Sequence, residues 1–399
     1  MIGHGGLARA VKIALVSPYD FAYPGGVCLH ISSLEQQFTR RGHDVKIIAP
    51  ASKAVSDFGE RFIPIGRPRP VPTSGSIARL TLSLRLSAKI KEVLEREKFD
   101  IIHLHEPLMP MLCTSVLRLS PTATVGTFHA AKGRPGYGLA RPFSRFLLKK
   151  WFRKLHGKIA VSKSARELAC GRFPGYYNII PNGVDLEHFS PDVAPIKEFK
   201  DGKLNILFVG RLEKRKGLGY LLDAFARLKQ ELPNSRLIAV GPGTRLRRQY
   251  EKQVARKGLK DVVFTGYASY EELPCYYQTA DIFCAPATGA DSFGTVLLEA
   301  MAMGKPVIAS NIEGYAGVVS DGIDGQLVHP KDSHGLAQAL LSLAKDEPRR
   351  REMGAQGRAK ALNYGWDSIA DTILNYYHRV LSEPPWRRSP RLETTPILV

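Results

Sequence analysis

The chain has 399 residues, 44% of them hydrophobic and 24% charged, with a formal net charge of +20. That length exceeds one ordinary core and suits two domains, and no run approaches the roughly 20 apolar residues of a membrane-spanning helix. Five scattered cysteines without a CxxC pair argue against a disulfide framework or a cysteine zinc site, while the positive balance points to an acidic partner, nucleic acid or an anionic membrane.

The opening MIGHGGLARA lacks the basic start and apolar run of a signal peptide, which predicts a cytosolic protein with residues 1–10 loosely ordered. From Val11 onward, β-rich runs recur at 11–18 (VKIALVSP), 43–50 (HDVKIIAP), 99–107 (FDIIHLHEP), 122–130 (TATVGTFHA) and 157–162 (GKIAVS). Helix-period segments separate them; Val27, Ile31, Leu34 and Phe38 follow the i, i+4, i+7, i+11 spacing. The first strand leads into Gly25-Gly26 and a helix, a turn that can offer amide N–H groups to a phosphate or be simply tight. It is not GxGxxG, which disfavours a nicotinamide cofactor.

His103 and His105 alternate with Leu104 and share one face of their strand. They could suggest a metal, but no third ligand has a recognisable spacing, so packing is the expectation. His129 ends the next strand, where cleft residues belong. Between Arg141 and Lys158 stand seven basic residues and no acid, interleaved with Phe143, Phe146, Trp151 and Phe152. That pattern predicts a membrane-surface helix with Lys149, Lys150, Arg153 and Lys154 toward lipid, some of the apolar residues facing the core.

IPNGVDLEHFSPD (180–192) has the punctuation of an interdomain linker. Strand–helix alternation then restarts at 204–210, 235–241, 261–266, 281–286, 305–310 and 325–330. Two sets of β-branched strands alternating with helices predict an α/β protein of two doubly wound parallel-sheet domains facing a cleft, with ligands at the carboxyl ends of the strands.

In GRLEKRKG (210–217), Arg211 and Lys216 flank a strand tip and the helix that follows, a place suited to a diphosphate. No Asp-x-Asp metal clamp occurs, so fixed cations and helix N-termini must neutralise a leaving diphosphate. In DSFGTVLLEAMAMGKP (291–306), Ser292, Phe293 and Gly294 place N–H groups at a helix start between Asp291 and Glu299. Carboxylates accept from vicinal hydroxyls, which suits a nucleotide sugar. A glycosidase acid–nucleophile pair competes with that reading, against the neighbouring phosphate architecture. A helix over 366–381 precedes a Pro- and Arg-rich tail expected to be loosely ordered.

GRLEKRKG, PNGVD and the carboxylate–SFG–x4–Glu-Ala-Met-Ala element together resemble the family 4 retaining glycosyltransferases of GT-B fold, over roughly Val11 to Leu381. The resemblance implies an acceptor and membrane-binding domain at 11–184, a nucleotide-sugar domain at 185–365, a helix crossing back at 366–383, and a flexible tail at 384–399. It implies that Arg211 and Lys216 hold the diphosphate and Glu299 the ribose. Asp291, where the family usually has Glu, contacts the sugar, and Gly26 lets the donor approach the first helix. His129 matches the histidine beside the reacting centre, orienting or polarising rather than acting as an ordinary base.

Within that family, SPYDFAYPGGVCLHI, TSGSIARL, HLHEP, GTFHA and CAPATGADSFG are most similar to the phosphatidylinositol α-mannosyltransferases. Tyr19, Gly26, Ser74 and Arg79 then stand where inositol phosphate is contacted. Two departures are Ser74 in place of an amide side chain and GTFHAAKG without the hydroxyl residues after the histidine.

The expectation is transfer of mannose from GDP-mannose to phosphatidylinositol by a monomer peripheral on the inner face of the cell membrane. No cofactor and no metal are required. The alternatives are a UDP-sugar enzyme using diacylglycerol, a soluble inositol-phosphate or sugar acceptor, a nucleotide-sugar epimerase, and, from charge alone, a nucleic-acid-binding module. Neither a recognition helix nor a stacking platform supports the last, so nucleic acid is not the expected partner.

Overall fold

A computed structural model describes residues 9–23, 25–73, 76–83, 85–130, 148–243 and 245–382. The predicted flexible ends, residue 74 and the basic stretch 141–147 lie largely or wholly outside the described residues.

The first seven-stranded parallel sheet holds β1 (Lys12–Val16), β2 (Asp44–Ala49), β3 (Phe62–Pro64), β6 (Ile101–His105), β7 (Ala123–Phe128), β8 (Gly157–Ala160) and β9 (Asn178–Ile179), in the order β3-β2-β1-β6-β7-β8-β9. A separate antiparallel hairpin, β4 (Pro68–Thr73) and β5 (Ser76–Thr81), stands outside it. The second sheet holds β10 (Leu204–Val209), β11 (Ser235–Val240), β12 (Val262–Gly266), β13 (Ile282–Ala285), β14 (Val307–Ser310) and β15 (Gly325–Val328), ordered β12-β11-β10-β13-β14-β15. Its register is parallel throughout.

All eleven sequence-predicted runs form strands. They were readable because β6, β7 and β11 are buried at every residue, and a strand covered on both faces is a continuous apolar run. β3 and β9 are too short to show a pattern. The hairpin is rich in proline and carries no clean alternation.

In each sheet the order reverses beside its first strand, between β1 and β6 and between β10 and β13. This is the switch point at which α/β sheets open a crevice. The helix Gly26–Arg40 turns Cys28, Ile31, Leu34 and Phe38 inward, and Leu218–Glu231 turns Leu218, Leu221, Leu222, Phe225 and Leu228 inward.

The predicted linker is pinned rather than loose. Val184 pairs with Gly365 in a parallel bridge, Val184 N–H donates to Tyr364 O at 2.8 Å, and a Cβ on Gly183 would sit 2.5 Å from the Trp366 ring. The helix Trp366–Ser382 then lies on the first domain. Arg41 Nε donates to Asp371 at 2.7 Å, and the Tyr376 hydroxyl accepts from Lys158 N–H at 2.9 Å. No described helix is long and apolar enough to cross a membrane.

Candidate active site

The carboxyl end of the second sheet gathers the predicted donor residues. Gly210 follows β10 and Gly241 follows β11. A Cβ on Gly241 would lie 2.1 Å from Gly210 O, and φ there is +148°, so the two strand tips approach as only glycine permits. The chain then runs through Arg211 and Lys216 to Gly217, whose φ of +77° starts the helix Leu218–Glu231. Thr288 N–H donates to Arg215 O at 2.7 Å, stitching this loop to the one after β13.

Asp291, on that second loop, is the hub. Its carboxylate accepts from Arg215 at 2.5 Å, Lys216 Nζ at 2.7 Å and the Tyr315 hydroxyl at 2.6 Å. Burial pushes the Asp291 carboxyl up, yet Lys216 and Arg215 outweigh it and hold it well below the usual carboxylate range. Glu213, buried, takes Arg215 Nε at 2.9 Å and Arg211 Nε at 3.2 Å. The corner's cations are thus largely neutralised by its own acids.

Ser292, Phe293 and Gly294 lead into the helix Thr295–Ala302, with Gly294 at φ +83° as its N-cap. Glu299, inside that helix, accepts from the Tyr277 hydroxyl at 2.7 Å. Burial raises the Glu299 carboxyl to about 7, against the opposing pull of the Tyr277 hydrogen bond and Lys216. The two carboxylates are thus opposites: Asp291 fixed as an anion by ion pairs, Glu299 poised near neutrality by burial.

Across the cleft, His129 follows β7 and is buried. Its backbone N–H donates to Glu106 Oε1 at 2.9 Å, and Glu106 holds φ +53°, a left-handed conformation uncommon outside glycine. His129 Nε2 lies 3.0 Å from His105 Nδ1, and His30, from the helix Gly26–Arg40, meets the His129 ring edge-on at 4.9 Å. His103 and His105 do share a face, with ring centroids 4.4 Å apart. His103 is consumed in packing, bonded to the Tyr377 hydroxyl and to Thr127, each at 2.6 Å.

At the hairpin, Asp20 N–H donates to Arg79 O at 2.9 Å, and Tyr19 bridges Leu80. Tyr19 and Arg79 therefore stand together, and the Arg79 guanidinium lies over the Tyr23 ring at 4.0 Å with Lys53 Nζ on that ring at 5.8 Å. Ser74 lies outside the described residues. A Cβ on Gly26 would meet nothing within 4 Å, so no contact within the protein demands glycine there. The two domains touch at the donor corner, where the Ser164 hydroxyl donates to Ser292 O at 3.3 Å.

Of the basic stretch, Lys149, Lys150 and Arg153 are exposed, on and just after a short helix over 148–152. Lys154 instead donates to Arg118 O at 2.7 Å and Ser120 O at 3.2 Å. Phe152 and Leu155 are core residues.

Sequence reasoning missed Arg215, Glu213, Tyr277 and Tyr315 as members of the donor corner, and His30 as a neighbour of His129. Arg215 and Glu213 were within reach, standing inside GRLEKRKG; the others are tens of residues from the groups they touch.

Residues 24–188 match the family described as Glycosyltransferase Family 4, and residues 191–360 match Glycosyl transferases group 1. The phosphatidyl-myo-inositol mannosyltransferase of Mycobacterium leprae is 35% identical over 376 residues, covering 93% of this chain and 97% of that protein. The protein of the same name from Propionibacterium freudenreichii is 33% identical, covering 92% and 94%. Among solved structures, the fold is similar to sucrose-phosphate synthase from Thermosynechococcus elongatus, with TM-score 0.75, 23% identity, and coverage of 93% of this chain and 99% of that one. It is also similar to Anabaena HepE in complex with UDP and glucose, with TM-score 0.73, 19% identity, and coverage of 92% and 99%.

Proposed function

The chain belongs to the family 4 glycosyltransferases of GT-B fold, and from that premise we propose that it moves mannose from GDP-mannose to phosphatidylinositol, with retention, at the cytosolic face of a membrane. The observation that carries the acceptor and the sugar is the end-to-end likeness to proteins named phosphatidyl-myo-inositol mannosyltransferase. The donor corner supplies the chemistry. A donor diphosphate competes with Asp291 for Lys216 and Arg215, and the helix start after Gly294 adds backbone N–H groups where the leaving phosphate gathers charge.

Asp291, released from part of its ion pairing, takes a sugar hydroxyl, and Glu299 takes the ribose. The open space over Gly26 admits the donor beside the first helix. His129 polarises or orients the acceptor hydroxyl, while the departing phosphate takes its proton in a front-face attack. Fixed cations do the work of a metal, so transfer needs none. On the acceptor side, Arg79 grips the phosphodiester with its planar fork, stacked on Tyr23 and helped by Lys53. The exposed cations Lys149, Lys150 and Arg153 hold the protein on anionic lipid as a monomer.

Purified protein with GDP-mannose and phosphatidylinositol vesicles is expected to yield a mannolipid whose anomeric proton reports the α-linkage. Turnover of UDP-glucose with diacylglycerol in its place replaces this reading, and a β-linked product removes retention.

A further inference from the structure

The histidine cluster beside the cleft holds more than the transfer reaction uses. His30 comes from the helix Gly26–Arg40, His105 from the end of β6 and His129 from the residue after β7. One ring nitrogen from each lies within 4.8 Å of the other two. His30 is 4% exposed, His105 0% and His129 6%. Among the described residues this is the one such group of three potential ligands.

His30 Nε2 and His105 Nε2 are buried without a hydrogen-bond partner, and a buried polar atom left so is unfavourable unless a ligand satisfies it. Each ring's other nitrogen is held. His30 Nδ1 lies 2.9 Å from the Asn182 side-chain oxygen, and His105 Nδ1 lies 3.0 Å from His129 Nε2. For His30, the amide oxygen of Asn182 on Nδ1 fixes the tautomer that leaves Nε2 a bare lone pair. That is the outer-shell arrangement of metal-binding histidines.

We infer that His30, His105 and His129 form a binding site for a divalent first-row transition cation, zinc being the best fit. Three imidazoles with one further ligand from solvent suit tetrahedral zinc, and an all-nitrogen protein set disfavours the oxygen-seeking magnesium and calcium. Zinc–nitrogen bonds of about 2.0–2.1 Å put ligand nitrogens about 3.3 Å apart, so the rings need to close by about 1.5 Å at most.

The Glu106 carboxylate, bonded to the His129 backbone, lies close by. The ion is not a cofactor of transfer. Bound, it takes the His129 ring out of the cleft's chemistry; that consequence rests on the reading above, whereas the site itself does not.

The test uses the full chain stripped by chelator and titrated with zinc against a chromophoric competitor. The expected result is one zinc per chain, with zinc-edge X-ray absorption fitting three imidazoles and one light oxygen ligand. Cobalt(II) in its place is expected to give the visible bands of a four-coordinate ion. His30→Gln and His105→Gln are each expected to weaken binding at least tenfold, and Asn182→Ala, which touches no ligand nitrogen directly involved, about 10–100-fold. Zinc bound no more tightly by the wild type than by His30→Gln, or an absorption spectrum without imidazole, overturns the site. The wild-type spectrum decides the matter even if a variant fails to fold. A chain that binds zinc this way yet makes no mannolipid leaves the site standing and removes the acceptor reading.

Discussion

Asp291 and Glu299 stand eight residues apart and obey different physics. Asp291 is an anion because Arg215 and Lys216 point at it; breaking such a buried pair strands the opposite charges. Asp291→Asn is therefore expected to lose about 3 kcal/mol of stability in the ligand-free state. A nucleoside diphosphate restores the missing charge, so GDP is expected to raise the melting temperature of Asp291→Asn more than that of the wild type, while transfer falls. Equal shifts in thermal melts refute the competition between Asp291 and diphosphate.

Lys216→Ala is expected to weaken GDP binding at least tenfold and leave guanosine binding unchanged, measured by calorimetry. Glu299 answers to pH instead. Its native carboxyl, at about 7, holds its proton more tightly than the ordinary value of 4.5 allows. The native state therefore binds more protons than the unfolded chain between those values and loses stability as pH rises through that window. Glu299→Gln has no such slope. Relative to the wild type, it is expected to gain about 3 kcal/mol between about pH 4.5 and pH 8 in urea unfolding.

At the scale of elements, the donor corner is built by two loops pressed together. A Cβ on Gly217 would lie 1.8 Å from Pro286 O, on the loop after β13, and φ is +77°. A Cβ on Gly314 would lie 2.2 Å from Asp291 O, so the helix Glu313–Ala316 seats directly on the Asp291 loop and delivers Tyr315. Gly217→Ala combines backbone overlap with a left-handed conformation and is expected to cost at least about 2 kcal/mol in chemical unfolding. Donor affinity should fall with it, because Arg215 and Lys216 ride on the same turn. On the proposed reading the hairpin is the acceptor-side counterpart. Arg79→Ala is expected to reduce use of phosphatidylinositol at least tenfold while sparing slow hydrolysis of the donor; equal loss of both makes Arg79 a structural residue of the hairpin.

For the whole molecule, the crossing of linker and C-terminal helix decides how the domains are joined. Val184–Gly365 pairing and the Trp366 ring over Gly183 clamp both crossings together, and Tyr377 carries the last helix down to His103 beside the histidine cluster. Charge is the other global feature. Of the four cations expected to face lipid, Lys154 is turned inward to carbonyls, leaving Lys149, Lys150 and Arg153. Replacing those three by glutamate is expected to weaken binding to anionic vesicles about 100-fold or more, at about 1 kcal/mol per cation near such a surface. Added salt is expected to weaken wild-type binding in the same direction. Unaltered sedimentation with vesicles refutes that surface as the contact.

The sequence by itself determined the two parallel sheets, because strands buried on both faces must be unbroken apolar runs, and it marked the corner proposed for the donor, because GRLEKRKG and DSFGTVLLEAMAMGKP keep the glycines and charges that phosphate chemistry needs at short spacing. Those signals are local in the chain. What only the tertiary structure decided is who meets whom across it. Tyr315 reaches Asp291, Tyr277 reaches Glu299, and His30 joins His105 and His129 from three separate elements. No periodicity or spacing encodes those meetings; they follow from sheet order and from how each helix returns over its sheet. The same holds for charge state: Asp291 and Glu299 look alike in the sequence, and only the cations and burial around them set one far below its ordinary value and the other above it.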